Sequence, residues 1–165
     1  MPALGEVTWH SHRHRAPDAV PEVATITSVR SPAEEALLRA SLAQLAASGL
    51  PVSVADTGLS AAFTAFLAGI PNVRVVVPGE AGLVRQVKAS VALAAEGGTR
   101  FILYTEPDKE QFFRTQLVEF LSRVTGGGDA GVVLAARSDE SFRTFPAMQR
   151  YTEGIFGNAT EIEIG

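Results

Sequence analysis

The sequence predicts an α/β fold in which a mostly parallel, Rossmann-like sheet is the middle of three layers and helices cover both of its faces. Apolar runs of strand length alternate with helical segments from residue 22 to residue 136. Strands that alternate with helices are joined by right-handed crossovers, which make the strands parallel. Hydrophobic residues make up 46% of the 165 residues and charged residues 19%, which is enough for one packed core.

The predicted strands are short, apolar and rich in β-branched residues. The first, 22–29 (EVATITSV), alternates such residues, and the last, 131–136 (GVVLAA), is almost continuously apolar. The strands between them are predicted at 51–56, 73–77 and 101–105. A polar leader punctuated by proline, residues 1–21, precedes them and is expected to be flexible, so that residues 22–165 form a single domain.

The helices carry start and stop signals. Ser31 is expected to cap the first helix, Pro32 fits its first position, and Glu34 can reach back to complete a capping box. Gly49 is expected to end that helix in the left-handed conformation. The other helices are predicted at 60–67, 82–95 and 108–124.

Composition excludes several classes of protein. The absence of cysteine excludes a disulfide scaffold, a thiolate metal site and a cysteine nucleophile. A net charge of −4 disfavours binding to nucleic acid, which requires neutralisation of phosphates. No apolar stretch approaches the roughly 20 residues of a membrane span, and no secretory signal is visible. We therefore expect a cytoplasmic protein without nucleic-acid or membrane partners, and leave a homodimer open.

Several nucleotide-binding and hydrolase signatures are missing from the strand ends. The turn after the first strand reads SVRSPAEE and lacks the GxGxxG pattern that lets a backbone approach a pyrophosphate. The chain has neither a GxxxxGK[ST] loop nor a GxSxG elbow. Dinucleotide oxidoreductases, P-loop hydrolases and α/β-hydrolases are therefore disfavoured.

The carboxyl ends of the strands are where a parallel sheet binds its ligand, and Asp56 ends the second strand. A carboxylate at this position can accept hydrogen bonds from a ribose hydroxyl or a base N–H. An Asx-turn is the alternative, since Asp-Thr-Gly favours turns. The first strand ends near Arg30, which we also place among the candidate ligand-binding residues.

Two carboxylates, Glu106 and Asp108, follow the fourth strand on either side of Pro107. Oxygen ligands with an open coordination sphere suit Mg²⁺ or Mn²⁺ bridging to a diphosphate. The alternative is structural, with Asp108 and Gln111 capping the next helix.

Cations near these acids suit a phosphorylated ligand. Lys88 and Lys109 are the two lysines of the chain, and Lys109 adjoins the acid pair. Arg85 lies one turn before Lys88 on the third predicted helix. Such cations can bind a diphosphate, although Arg85 and Lys88 also fit a solvated helix face.

The order of these features resembles the inverting family 2 glycosyltransferases. VSVADTGLS looks like their nucleotide-binding strand, and GLVRQVKASVALAAEGGTRFILYTEPD looks like their helix–strand run ending in a DxD motif. The resemblance covers about residues 23–136 and implies the nucleotide-sugar half of a glycosyltransferase A fold. Two positions depart from the pattern: the family usually has Asn at Lys88 and Asp at Glu106.

The resemblance implies roles for the candidate residues. Asp56 would contact the nucleoside, the first-strand loop ending at Arg30 would pack against the base, and Glu106 and Asp108 would carry the metal and diphosphate. The sugar would pass to a hydroxyl acceptor that the sequence does not identify. The family's acceptor half needs more chain than follows residue 136, so a full acceptor half is expected to be missing.

The tail supplies the candidates for a catalytic base. Glu153 or Asp139 could deprotonate the acceptor hydroxyl. Alternatively, this stretch is only a loop and a helix that dock aromatic side chains.

Three functions remain open on the sequence. A nucleotide-sugar transferase using Mg²⁺ or Mn²⁺ comes first. A non-catalytic module that binds a nucleotide-sugar or a partner is the second. A sugar-phosphate nucleotidyltransferase ranks lower, because its glycine-rich signature after the first strand is absent from SVRSPAEE.

Overall fold

A computed structural model of the chain describes residues 20–79, 82–126, 143–144, 146–148 and 150–151. The chain divides into two compact units, Met1–Gly127 and Gly128–Gly165. In the second unit the described residues include a helical turn, in which the Arg150 N–H donates to the Pro146 carbonyl at 3.0 Å. The elements of the first unit are β1 (Glu22–Thr27), α1 (Pro32–Ala46), β2 (Val52–Asp56), α2 (Ala61–Ala68), β3 (Val73–Val76), α3 (Leu83–Ala95), β4 (Ile102–Tyr104), α4 (Glu110–Thr115) and α5 (Leu117–Gly126).

The described strands form a parallel sheet in the order β3-β2-β1-β4. Val23 pairs with Val52 across β1 and β2, and Ala24 pairs with Tyr104 across β1 and β4. The chain thus adds β2 and β3 on one side of β1 and then returns to place β4 on the other side. This order is Rossmann-like, and the predicted α/β class with parallel strands is confirmed. The predicted fifth strand, 131–136, lies outside the described residues.

Alternate side chains of the strands enter one apolar cluster. Val23 in β1 and Val52 and Val54 in β2 belong to it, because residues two apart in a strand point to the same face. Helices α1, α2, α4 and α5 contribute the buried helical side chains of this cluster: Leu38, Leu42, Leu45, Phe63, Leu67, Phe113, Leu117 and Leu121. The predicted leucine stripe of α1 therefore does face the core.

The intervening side chains of β1 and β2 are small where α3 crosses them. Ala24 and Ala55 are fully buried in the strands, and Ser90 and Ala94 are fully buried in α3. Small residues allow a helix backbone to approach a sheet closely, and α3 contacts both of these strands. Helix α3 therefore sits directly over the centre of the described sheet.

A buried carboxylate ties the amino end of this sheet together. Glu22 is only 2% exposed, and its Oε1 accepts from Ser53 Oγ at 2.5 Å and from Arg74 Nη2 at 2.6 Å. Arg74 also donates to the Leu93 carbonyl near the end of α3. A Cβ added at Gly97 would overlap Glu22 Oε2, so a side chain there would force this buried carboxylate to shift. One ion pair thus links β1, β2, β3 and α3.

The capping signals of α1 are confirmed with one change of partner. Ser31 Oγ accepts from the Glu34 N–H at 3.2 Å. Glu34 reaches back as predicted, but its Oε2 accepts from the N–H of Arg30 at 2.7 Å rather than from Ser31. Gly49 has φ of +76°, as expected for a left-handed helix end.

The prediction of one long helix over 108–124 is wrong. The structure has two helices, α4 and α5, separated at Gln116, whose φ of −129° is not helical. Phe112 and Phe120 would lie about 12 Å apart along a continuous helix axis, at 1.5 Å per residue. The break brings their rings to a centroid distance of 5.9 Å, edge to face. Aromatic packing therefore accompanies the bend.

Within the described ranges, no helix combines the length and the apolar character needed to cross a membrane.

Candidate functional site

The strand order puts the switch point of the sheet at the carboxyl ends of β1 and β4. The connections after β1 and β2 place each new strand on one side of β1, whereas the connection after β3 places β4 on its other side, and open parallel sheets bind ligands at such a switch point. Residues 28–31 leave β1 here, and residues 105–109 leave β4. The candidate site consists of these two loops and the neighbouring end of β2.

Threonine side chains and backbone bonds fix the beginning of the loop after β4. Thr25 is fully buried, and its Oγ1 donates to the Thr105 carbonyl at 2.7 Å. The Thr105 N–H donates to the Ala24 carbonyl at 3.1 Å. The acid pair therefore follows Thr105, whose backbone N–H and carbonyl are both hydrogen-bonded to β1.

Lys109 bridges the two carboxylates of this loop. Its Nζ lies 2.7 Å from Glu106 Oε2 and 3.0 Å from Asp108 Oδ1. Hydrogen bonding to Glu106 is the main cause that raises the pKa of Lys109, against a smaller opposing effect of desolvation. All three side chains are between 44% and 67% exposed. The two acids thus face a common point that is open to solvent and already holds a positive charge.

The alternative in which Asp108 caps the next helix is wrong. Helix α4 begins at Glu110 with Lys109 at the capping position, and no side chain makes a capping hydrogen bond there. Asp108 instead pairs with Lys109. Its carboxylate is therefore not used to satisfy backbone N–H groups of α4.

Tyr104 is a neighbour of the acid pair that the sequence analysis missed. It is the last residue of β4, and its side chain is 40% exposed. Partial burial raises the pKa of the Tyr104 hydroxyl, and the negative charge of Glu106 raises it further. The one signal in the sequence was an aromatic residue at a strand end, beside Thr105 and Glu106.

Asp56 lies at the end of β2, where the sequence placed it, but its carboxylate is 1% exposed. Oδ1 accepts from Thr27 Oγ1 at 2.8 Å, and Oδ2 accepts from Thr64 Oγ1 at 2.6 Å. Oδ2 also accepts from the Gly58 N–H at 3.1 Å, which confirms the Asx-turn interpretation. Asp56 therefore organises the ends of β1, β2 and α2, and its role toward a ligand stays a prediction.

Gln86 is a second residue that the sequence analysis missed. It is 7% exposed on α3, and its Nε2 donates to the carbonyls of Thr27 at 3.0 Å and Ala55 at 3.4 Å. The Thr27 carbonyl also accepts from the Thr57 N–H at 3.0 Å. Gln86 thus fastens the carboxyl ends of two strands to α3. A polar residue on the buried face of an amphipathic helix was the available signal.

Arg30 lies at the mouth of an open cleft beside the start of α1. The cleft has a volume of about 510 Å³ and is lined by Val29, Arg30, Ser31, Pro32, Glu35, Ala36 and Arg39. Arg30 is exposed, and in the described part of the chain its guanidinium makes no ion pair. A cation at the end of β1 is therefore available to an anionic ligand.

Two charged residues that line this cleft, Glu35 and Arg39, neutralise each other. Arg39 Nη2 lies 2.6 Å from Glu35 Oε1, and the guanidinium stacks 4.5 Å from the centre of the Phe66 ring. Hydrogen bonding to Arg39 is the main cause that lowers the pKa of Glu35, and Ser60 Oγ adds a further hydrogen bond. These contacts join α1 to α2.

Arg85 and Lys88 are both exposed on α3, as the solvated-face alternative expects. At 100° per residue, Lys88 points about 160° away from Gln86, which faces the sheet. Lys88 thus lies on the side of α3 turned from the strand ends. The structure does not bring it together with Glu106 and Asp108.

Asp139 and Glu153, the two candidate bases, lie outside the described residues, so their predicted role stays a prediction. In the ranges that the structure describes, no group of three or more histidine, aspartate or glutamate side chains could hold a metal ion. Glu106 and Asp108 are two carboxylates, which is a donor set that Mg²⁺ uses only together with phosphate oxygens and water.

The fold and the site together define a parallel α/β protein with a Rossmann-like strand order and an acidic loop at its switch point. Comparisons with models of protein families, with curated proteins and with solved structures found no significant match.

Proposed function

We propose that this chain binds a nucleotide-diphospho-sugar together with Mg²⁺ or Mn²⁺ and transfers the sugar to a hydroxyl acceptor. The sheet would be the middle of three layers in a fold of the nucleotide-diphospho-sugar transferase type. The proposal concerns the switch point between the loops that leave β1 and β4.

One observation carries this proposal: two exposed carboxylates at the switch point converge on a single cation. Glu106 and Asp108 both lie within 3.0 Å of Lys109 Nζ. Glu106 and Asp108 would hold Mg²⁺ or Mn²⁺ through these carboxylates in place of the ammonium. Diphosphate oxygens and water would complete its coordination.

The metal would supply charge neutralisation at the leaving diphosphate. The chain's own cation at the cleft, Arg30, suits the negative charge of the same ligand, because guanidinium groups bind phosphates through paired hydrogen bonds. Asp56 would act indirectly, since its buried carboxylate holds the ends of β1, β2 and α2 in place around the nucleoside.

The remaining candidate residues would take the roles that the sequence predicts for them. Arg85 and Lys88, which are exposed on α3, would contribute positive charge only at long range. Asp139 or Glu153 would accept the proton of the acceptor hydroxyl as it attacks the anomeric carbon.

A non-catalytic binding module is the second candidate, and a specific observation favours it. The carboxylates of the site are satisfied internally: Asp56 by three donors and the acid pair by Lys109. Such a module would bind a nucleotide-sugar without turning it over. Ligand binding with no product would therefore distinguish it from the transferase.

A thermal-shift screen tests the proposal. Wild-type protein is heated with UDP-, GDP- and dTDP-sugars, in Mn²⁺ and then in EDTA. A ligand at 100 times its Kd stabilises the folded state by about 2.7 kcal/mol. We expect one donor class to raise the Tm in Mn²⁺, with the shift lost in Glu106→Gln and Asp108→Asn and kept in Glu119→Gln, an exposed carboxylate on α5. No shift with any donor would contradict the proposal.

A further inference from the structure

We draw no further inference here: the strongest candidate, the open cleft that Val29, Arg30 and Arg39 line beside the start of α1, belongs to the site already described, and the described part of the chain offers no second observation that identifies a different ligand for it.

Discussion

Thr27 donates its hydroxyl to the carboxylate of Asp56 at 2.8 Å, from the last residue of β1 to the last residue of β2. Both side chains are 1% exposed. The carboxylate also accepts from Thr64 and from the backbone of Gly58, so that it joins two strands, a loop and α2. The buried Asp56 carboxylate thus organises the carboxyl ends of β1 and β2, beside which the candidate site lies.

We expect Asp56→Asn to destabilise the fold by about 1–3 kcal/mol, because an amide cannot accept from all three donors and places an N–H against one of them. The free energy of unfolding in urea measures this loss. Asp108→Asn, the same change on an exposed side chain, should stay within about 0.5 kcal/mol of the wild type. A stable Asp56→Asn protein that has lost donor binding would instead favour a direct ligand role.

A side chain at Gly97 is expected to destabilise the fold. Gly97→Ala would drive a methyl group into the buried carboxylate of Glu22, and overpacking of this kind costs about 1–3 kcal/mol. A shift in the urea midpoint measures the cost. Gly79→Ala is the control, since a Cβ there meets nothing within 4 Å. Equal midpoints for the two variants would contradict the close approach of Gly97 to Glu22.

Gln86→Leu should loosen the carboxyl ends of β1 and β2. The carbonyls of Thr27 and Ala55 lose the Gln86 amide, at a cost of about 1–2 kcal/mol. Faster hydrogen exchange of the Thr57 N–H, which donates to the Thr27 carbonyl, would report the loosening locally. Gln111→Leu, on an exposed position of α4, serves as the control. Unchanged exchange at Thr57 would show that Gln86 does not hold the strand ends.

The pair of Glu35 and Arg39 should make stability depend on pH. The pKa of Glu35 is lowered from 4.5, mainly by hydrogen bonding to Arg39. A lowered carboxyl pKa adds stability above the unfolded value, and this stability is lost as the pH falls through the folded value. The stability difference between wild type and Arg39→Met should therefore shrink as the pH drops below about 4.5.

Arg39 also contacts the Ala62 carbonyl and the Phe66 ring, and the loss of these contacts is independent of pH. Urea unfolding at pH 7 and pH 3 separates the two effects. Arg123→Met, which removes the exposed partner of Glu119, is the control and should show a smaller pH dependence. A constant difference for Arg39→Met at both pH values would contradict the role of the pair.

Elements set by local patterns were predictable from the sequence. The first four strands, the capped start at Ser31 and the left-handed Gly49 depend on residues a few positions apart, and the structure contains all of them. The break at Gln116 was not predictable in this way. It accompanies the contact between the rings of Phe112 and Phe120. The spacing of apolar residues along one face is the same in a straight helix and in a bent one, so this spacing does not predict the break.

The candidate site was predictable in its position and less so in its contacts. Strand ends identified Asp56, Glu106 and Asp108, because parallel strands share one carboxyl edge. The Asx-turn from Asp56 to Gly58 was predictable from Asp-Thr-Gly, whereas the hydrogen bond from Thr27 was not, since Thr27 lies 29 residues away. The hydrogen bond from Gln86 to the Thr27 carbonyl spans 59 residues, so sequence spacing could not predict it either. The bridging position of Lys109 depends on the dihedral angles of a turn that no periodic pattern describes.

We propose that the acid pair after β4 binds a nucleotide-sugar through a divalent metal. Calorimetric titration of the folded wild-type protein with UDP-, GDP- and dTDP-sugars, first with Mn²⁺ and then with EDTA, tests it most directly. We expect saturable binding of one donor class in Mn²⁺, abolished by EDTA and by the double change Glu106→Gln and Asp108→Asn. Absence of binding by every donor, or binding that EDTA and the double variant leave unchanged, would contradict it.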